Sequence, residues 1–305
     1  MRKLRIGTSG LEASEIALGC MRLDALEGPA VDRLIGTALS EGIDFFDHAD
    51  IYGGGRSEEV FAASMARMGL SRDRFLLQGK CGIRPDCFDS SKAYILEAVD
   101  GILQRLSTDY LDLLLLHRPD ALVEPDEVAE AFDHLQAVGK VRHFGVSNHN
   151  PMQIALLEKS LNQRVQVNQL QFSAAFTGMI DAGLYVNMQD DHSVNRDGSV
   201  LDYCRLHDLT VQAWSPFQFG YFEGVFLDNP KFPHLNAAIE QLAAQHRLTN
   251  SAIALAWILR HPARIQTLVG TTNTGRLKEL CQASGFTLTR QEWYAIYQAA
   301  GNVLP

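Results

Sequence analysis

The sequence predicts an α/β protein, a (β/α)8 TIM barrel with an N-terminal β-hairpin and a C-terminal extra helix. Eight short apolar or β-branched runs alternate with segments of helical spacing along the chain. The runs are almost continuously apolar, as expected for parallel strands that helices cover. Eight such units match a closed barrel better than an open doubly wound sheet, which usually has fewer strands.

The predicted elements follow one another in a regular order. The opening LRIGTSGLEASEIALG has two alternating runs around Ser9-Gly10, which predict the hairpin. The predicted strands lie at 16–19, 43–47, 75–80, 111–116, 141–146, 164–168, 209–214 and 265–269. The predicted helices lie at 30–41, 57–68, 91–106, 126–138, 151–160, 199–206, 234–261 and 274–282. A last helix over 289–300 begins with the capping box Thr289-x-x-Glu292.

The domain organisation is simple. No low-complexity linker or composition break divides the chain, so we expect a single barrel domain over residues 1–305. The segment 173–199 is the one long connection without clear periodicity. Loops of that length in compact domains are often functional lids or binding loops.

Composition narrows the possible partners. The net charge is −9, the pI is near 5.6 and no dense Lys/Arg cluster is present, which argues against nucleic-acid binding. The start MRKLRIGTSG lacks the apolar core of a signal peptide, and the apolar runs at 111–116 and 252–259 are too short to span a bilayer. The five scattered cysteines contain no C-x-x-C pair and fit a reducing compartment. We therefore expect a cytoplasmic protein with a small-molecule substrate, without membrane or nucleic-acid partners.

Polar and aromatic side chains collect at the carboxyl ends of the predicted strands, where barrel enzymes carry their catalytic groups. One such acid is most often a cap or turn residue, and one lysine is usually solvated. Their occurrence on successive strand ends indicates a reactive site. The strand ends hold Met21 and Arg22, Asp47 and then Tyr52, Lys80, His117, Ser147-Asn148, Gln169, Trp214-Ser215 and Gly270-Thr271-Thr272.

These motifs resemble the aldo-keto reductase family along essentially the whole chain, in particular the bacterial oxidoreductase branch that carries DHADIYGG and LLLLHRPD. The resemblance implies a catalytic tetrad of Asp47 and Tyr52 in FFDHADIYG, Lys80 in LLQGKCG and His117 in LLLLHRP. It also implies NADPH-dependent reduction of a small aldehyde or ketone to the alcohol, with the proton supplied by Tyr52.

The resemblance further implies contacts to NADPH (NADP+). Ser147, Asn148 and Gln169 match the residues that bind the nicotinamide amide, and Trp214 takes the place of the ring that stacks on nicotinamide. In VGTTNTGRL, Thr272 and Arg276 match ligands of the adenosine phosphate. The remaining implied contacts are Met21, Arg22, Asp47, Ser215, Pro216, Phe217, Gly270, Thr271 and Glu279.

Two positions depart from the family pattern. Leu280 stands where the family often has an asparagine near the adenine. The segment 173–199 has no match to the short connection that the family usually has. The residues of the substrate pocket are therefore the ones that the family resemblance predicts least.

Carbonyl reduction explains the roles of the tetrad. A hydride goes to carbon and a proton to oxygen, so an acid must lie within hydrogen-bond reach of that oxygen. A tyrosine has a pKa near 10, and we expect the Lys80 ammonium to lower it while Asp47 holds Lys80 protonated. A neutral His117 is expected to orient the carbonyl oxygen. The glycines 53–55 let the backbone turn sharply after Tyr52.

Alternative functions have less support. A non-catalytic NADPH-binding subunit of the same fold, with a redox-sensing or regulatory role, has no need of Tyr52 and His117 together. The absence of G-x-G-x-x-G after a strand argues against a Rossmann site.

No metal site is predicted. A metal-dependent barrel hydrolase is disfavoured, because the sequence lacks a cluster of histidine and carboxylate ligands. The polar run Gln189-Asp190-Asp191-His192, with Asn195 and Asp197, has no known metal spacing. Arg118 follows His117 directly, and its side chain is expected either to bind an anionic substrate or to connect neighbouring loops by hydrogen bonds.

Overall fold

The computed structural model describes residues 1–189 and 191–304 and contains an eight-stranded parallel barrel. The strands in chain order are β1 (Lys3–Arg5), β2 (Glu12–Ser14), β3 (Ile16–Gly19), β4 (Phe45–Asp47), β5 (Leu76–Cys81), β6 (Leu111–Leu116), β7 (Val141–Ser147), β8 (Val165–Gln171), β9 (Thr210–Trp214), β10 (Gln218–Phe219), β11 (Gly224–Val225) and β12 (Gln266–Val269). Strands β3 to β9 and β12 form the barrel, which closes because β12 pairs with both β3 and β9. The predicted fold class is confirmed.

Helices follow the barrel strands in sequence. Their bounds are α1 (Gly28–Ser40), α2 (Arg56–Met68), α3 (Lys92–Leu106), α4 (Pro125–Ala137), α5 (Pro151–Glu158), α6 (Gly178–Leu184), α7 (Val200–Leu206), α8 (Pro233–His246), α9 (Asn250–Leu259), α10 (Thr274–Cys281) and α11 (Arg290–Ala299). The predicted capping box is present, since Thr289 and Glu292 each accept from the other's backbone N–H.

The predicted helix over 234–261 is wrong as a single element, because it divides into α8 and α9. Arg247 adopts a left-handed backbone conformation with φ of 56° and ends α8. Thr249 then caps α9 by accepting a hydrogen bond from the N–H of Ala252 at 3.2 Å. Apolar spacing continues across this break, so periodicity alone predicts one helix.

The N-terminal hairpin covers one end of the barrel. Leu4, Ile6 and Ala13 pack in one apolar cluster with barrel residues such as Phe45 and Leu113. The amino ends of the barrel strands lie at this end. For example, the N–H of Thr267 in β12 donates to the backbone oxygen of Glu15, just before β3. The opposite end, where the strands finish, remains available for a site.

Two segments leave the regular strand–helix alternation. Between β9 and α8 the chain forms a small antiparallel hairpin, in which β10 pairs with β11. The segment 173–199 contains α6 and a short 3-10 turn, Asp191–Ser193. Among the described residues, no helix is both long enough and apolar enough to cross a membrane.

Candidate active site

A cavity of about 660 Å³ opens at the carboxyl ends of the barrel strands. Most of the residues predicted for the site lie in its walls. They are Met21, Arg22, Asp47, Tyr52, His117, Ser147, Asn148, Gln169, Trp214, Ser215, Pro216, Phe217, Gly270, Thr271 and Arg276. Three predicted residues, Lys80, Thr272 and Glu279, do not line the cavity.

Lys80 and Asp47 form a buried ion pair beneath the cavity. Lys80 is fully buried, and its Nζ lies 2.5 Å from Asp47 Oδ1 and 2.9 Å from the backbone oxygen of His48. Burial alone would lower the pKa of Lys80, but the Asp47 carboxylate, together with the hydrogen bonds of Lys80 to Asp47 and Tyr52, outweighs it and raises that pKa. Lys80 is therefore an ammonium that the surrounding groups keep in place.

Tyr52 stands on a tight turn directly after this pair. The residues Tyr52–Gly55 form a 3-10 turn in which all three glycines have positive φ, between 58° and 91°. The Tyr52 ring centre lies 5.1 Å from Lys80 Nζ, and its ring meets the His117 ring edge-on at 6.2 Å. The predicted turn is confirmed.

The expected direction of the Tyr52 pKa shift is wrong. Burial raises the pKa of the phenol above its usual value, and Lys80 opposes that effect without reversing it. The reason is tertiary: the ring is enclosed by the barrel mouth, which sequence spacing does not show. A phenol in this environment carries its proton at neutral pH.

His117 is neutral in this environment. Burial, together with the positive charges of Lys80 and Arg118, lowers its pKa to about 2. Its Nδ1 atom is buried and has no hydrogen-bond partner among the residues that the structure describes. Asn148 Nδ2 donates to the His117 backbone oxygen at 3.3 Å, which ties the ends of β6 and β7 together.

A chain of buried glutamines supports Asp47 from below, and sequence reasoning missed most of it. Gln78 and Gln169 donate to Asp47 Oδ1 at 2.6 and 3.1 Å, so this oxygen accepts three hydrogen bonds, counting that from Lys80. Both glutamines also donate to Gln212 Oε1, at 2.9 and 3.0 Å. Gln212 in turn donates to Gln266 Oε1 at 2.8 Å. A glutamine inside an otherwise apolar strand, as in LLQGK or VQAW, is the signal that could have found them.

The residues predicted to bind the nicotinamide amide are already connected to one another. Asn148 has a left-handed backbone with φ of 61°, and its side-chain oxygen accepts from Trp214 Nε1 at 3.1 Å. Ser147 Oγ donates to the backbone oxygen of Gln169 at 2.9 Å. Phe222 stacks on Trp214 with ring centres 5.5 Å apart. Asn148 therefore fixes the Trp214 ring, which still forms part of the cavity wall.

The start of α10 forms the far end of the cavity. Asn273 caps the helix by accepting from the N–H of Arg276 at 2.9 Å, and Arg276 lines the cavity. Thr272, in the loop before α10, and Glu279, on the helix, are exposed and lie outside the cavity wall. Leu280 is buried and lines the cavity, so the wall here is apolar where the family often has an asparagine.

The entrance has apolar and aromatic walls that the sequence did not indicate. Ile51, Ile83, Phe88, Tyr221 and Phe222 line the cavity. Tyr221 and Phe222 belong to the hairpin after β9, so this hairpin occupies the place that we expected for 173–199. None of the described residues of 173–199 lines the cavity. Short loop elements without periodicity carry no signal of where they fold.

Two residues near the polar run that we considered as a metal loop, Asn195 and Asp197, bind backbone N–H groups instead. Asp190 lies outside the described residues. Asn195 Oδ1 accepts from the N–H of Gly198 at 2.8 Å, and Asp197 Oδ1 accepts from that of Ser199 at 2.9 Å. These bonds shape the turn that leads into α7.

Comparisons with known proteins agree with this fold. The model of the aldo/keto reductase family matches residues 15–300. The chain is 33% identical over 304 residues to the 6-dehydroglucose reductase of Agrobacterium fabrum, covering 95% of each protein. It is 34% identical over 304 residues to the uncharacterized oxidoreductase YcsN of Bacillus subtilis, again covering 95% of each.

A solved structure is also similar. The crystal structure of the thermostable aldo-keto reductase Tm1743, in complex with the inhibitor epalrestat, matches with a TM-score of 0.79. The identity is 22%, and the match covers 98% of this chain and 100% of that one. At this identity the likeness concerns the fold. With the family model covering nearly the whole chain, this protein belongs to the aldo/keto reductase family of oxidoreductases.

Proposed function

We propose that this protein reduces a small aldehyde or ketone to the alcohol, with NADPH as the reductant and Tyr52 as the proton donor. The observation that carries the proposal is the position of Tyr52 and His117 in one cavity wall, above the buried Lys80–Asp47 pair. A non-catalytic subunit of the same fold would not need a buried ammonium beneath a protonated phenol.

Each residue of the tetrad has a task that follows from its surroundings. A reduced nicotinamide, when bound, supplies the hydride to the carbonyl carbon. Tyr52 donates its hydroxyl proton to the carbonyl oxygen as that oxygen becomes an alkoxide. Lys80 stabilises the negative charge that remains on the phenol oxygen, and Asp47 keeps Lys80 oriented. The neutral His117 offers a ring N–H to the same carbonyl oxygen and so holds the substrate.

The cavity fits a nicotinamide dinucleotide. It extends from Tyr52 and His117, past the flat ring of Trp214, to Arg276 at the start of α10. A helix N-terminus with an arginine is a suitable environment for a phosphate group. We therefore propose NADPH and assign its additional phosphate to Arg276. We also propose that residues 1–305 act as one barrel domain, and the five free cysteines suit a cytoplasmic location.

Removal of the Tyr52 hydroxyl tests the function. Tyr52→Phe should reduce turnover of 4-nitrobenzaldehyde or methylglyoxal by about 100-fold or more, the scale of a lost general acid. NADPH affinity, followed by tryptophan fluorescence, should stay within a few-fold, because the ring itself is retained.

The matched control is Tyr203→Phe, which removes a hydroxyl from α7, outside the cavity wall. It should leave turnover and NADPH affinity unchanged. If Tyr52→Phe kept wild-type turnover, Tyr52 would not be the proton donor. If the wild-type protein bound NADPH and reduced no carbonyl, the regulatory alternative would be favoured.

A further inference from the structure

Arg118 is a half-buried cation at the reactive end of the cavity, and the tetrad does not use it. It follows His117 at the end of β6 and lines the cavity. Its Nη2 donates to the Tyr221 hydroxyl at 3.2 Å, and its Cζ lies 5.7 Å from the Tyr221 ring centre and 6.0 Å from that of Trp214. Neither of these partners is a carboxylate.

Arg118 has no carboxylate partner within the described part of the chain. The cavity wall contains the acidic residues Asp47 and Asp228, but Asp47 pairs with Lys80, and Asp228 makes no ion pair with Arg118. Arg84, on the loop after β5, differs because Asp89 binds it at 3.0 Å. A guanidinium that is partly withdrawn from water without a counter-charge is suited to an anionic ligand.

The geometry places this free cation next to the reacting carbonyl. Arg118 and His117 are neighbours, so their α-carbons lie about 3.8 Å apart. The rings of Tyr221 and Trp214 hold the guanidinium plane and leave most of its N–H donors unused. A carboxylate a few bonds away from the carbonyl group could receive paired hydrogen bonds from this plane.

We propose that Arg118 binds the carboxylate of the substrate, so that the preferred substrates are small oxo acids, in which one molecule carries both an aldehyde or ketone and a carboxylate. This inference rests on the proposed function and specifies its substrate class. The competing explanation is that Arg118 only ties the hairpin after β9 to the barrel through Tyr221. In that case, loss of the Arg118–Tyr221 hydrogen bond would lower kcat/KM equally for neutral and anionic substrates.

A matched pair of substrates separates the two explanations. 4-Carboxybenzaldehyde and its neutral methyl ester, methyl 4-formylbenzoate, differ in charge at one position and share the aldehyde. We expect the wild-type protein to prefer the acid in kcat/KM, mainly through a lower KM. In Arg118→Gln the acid-to-ester ratio should fall by about 10- to 100-fold, the scale of one hydrogen bond to a charged group. Arg118→Lys should retain part of the preference, because it keeps the charge and loses the planar fork.

Arg164→Gln is the matched control. It removes the same charge from an exposed residue just before β8, at the opposite end of the barrel, and should keep the wild-type ratio. A second pair, D-glyceraldehyde 3-phosphate and D-glyceraldehyde, tests the kind of anion, and a preference confined to the phosphate would overturn the carboxylate assignment.

The outcomes also distinguish this inference from the proposed function. Reduction of both aldehydes without a preference for the acid overturns the role of Arg118 and leaves the reductase function intact. An equal fall for acid and ester in Arg118→Gln supports the loop tie and overturns the inference. If Arg118→Gln kept the wild-type preference for the acid, another cation would bind the carboxylate and the inference would be overturned. Failure of the wild type to reduce either aldehyde counts against the proposed function itself.

Discussion

The three ionisable side chains at the reactive end respond differently to burial because each has different neighbours. Lys80 stays charged since Asp47 lies 2.5 Å away, whereas burial, together with the positive charges of Lys80 and Arg118, keeps His117 neutral. Tyr52 keeps its proton because burial raises its pKa more than Lys80 lowers it. The result is a phenol that carries its proton at neutral pH beside a fixed positive charge, which suits the proposed role of Tyr52 as proton donor.

Arg276 provides a test of the proposed cofactor preference. NADPH carries a phosphate on the adenosine ribose that NADH lacks. Arg276→Ala should therefore weaken NADPH binding by about 10- to 100-fold, the scale of a charge-assisted hydrogen bond, and leave NADH binding nearly unchanged. The wild-type preference should shrink at high salt, because Arg276 is exposed. Titration of tryptophan fluorescence with each cofactor measures both affinities.

The control for this prediction is Lys278→Ala, which removes another exposed cation from α10 without touching the cavity wall. It should leave both affinities unchanged. Equal weakening of NADPH and NADH by Arg276→Ala would mean that Arg276 contacts a part that the two cofactors share.

Individual residues were predictable from the sequence where a motif identified them. Tyr52 and His117 could be assigned to one mouth because a closed barrel gathers strand ends, whatever their separation in sequence. Gln212 and Gln266 stand out only as polar residues in apolar strands, and their hydrogen-bond partners could not be predicted because these depend on the register of neighbouring strands. The pKa of Tyr52 could not either, because its largest cause is burial.

Among the local elements, the glycine turn after Tyr52 sets the position of the proposed proton donor. A Cβ atom at Gly55 would lie 2.6 Å from Arg105 Cδ, and Arg105 is held in place by a 2.6 Å hydrogen bond from its Nε to Glu58. Gly54 has a similar left-handed backbone but open space around it. Substitution of Gly54 would therefore cause backbone strain alone, whereas substitution of Gly55 would add a steric clash.

Alanine substitutions at these two glycines should have different effects. Gly54→Ala should cost about 1–2 kcal/mol of stability through backbone strain alone and lower kcat less than about threefold. Gly55→Ala should add a displacement of the turn and lower kcat by about tenfold or more, since small misplacements at a reactive centre are costly. Thermal unfolding and steady-state kinetics measure both effects. Equal kcat values in the two variants would show that the turn does not position Tyr52.

Regular elements were easier to predict than connections. Every barrel strand matched a predicted apolar run, because fully covered parallel strands leave a distinct pattern. The hairpin of β10 and β11 has only two residues in each strand, too few for a period to be visible. Its position over the mouth comes from contacts such as that between Gln171 Nε2 and the Gly220 oxygen, at 2.6 Å.

On the scale of the whole molecule, the segment 173–199 lies outside the cavity wall and is attached to the C-terminal region. Tyr297 on α11 donates to Asp181 Oδ1 at 2.6 Å, and Thr177 Oγ1 donates to Asp181 Oδ2 at 3.0 Å. Tyr185 Oη donates to the backbone oxygen of Val303 at 2.5 Å. The bonds from Tyr297 to Asp181 and from Tyr185 to Val303 join residues more than 100 positions apart, so local sequence patterns could not reveal them.

The bond between Tyr297 and Asp181 gives a test of this separation between stability and activity. Tyr297→Phe keeps the ring and leaves the buried Asp181 Oδ1 without its donor, so unfolding should become easier by about 1–3 kcal/mol. The melting temperature should fall by several degrees, with kcat/KM within about twofold of wild type when assayed well below it. Tyr294→Phe, a half-buried tyrosine on the same helix with no hydroxyl bond to Asp181, is the control and should change neither quantity. A large loss of kcat/KM in folded Tyr297→Phe protein would contradict the separation, because it would show that the attachment of 173–199 also supports the mouth of the barrel.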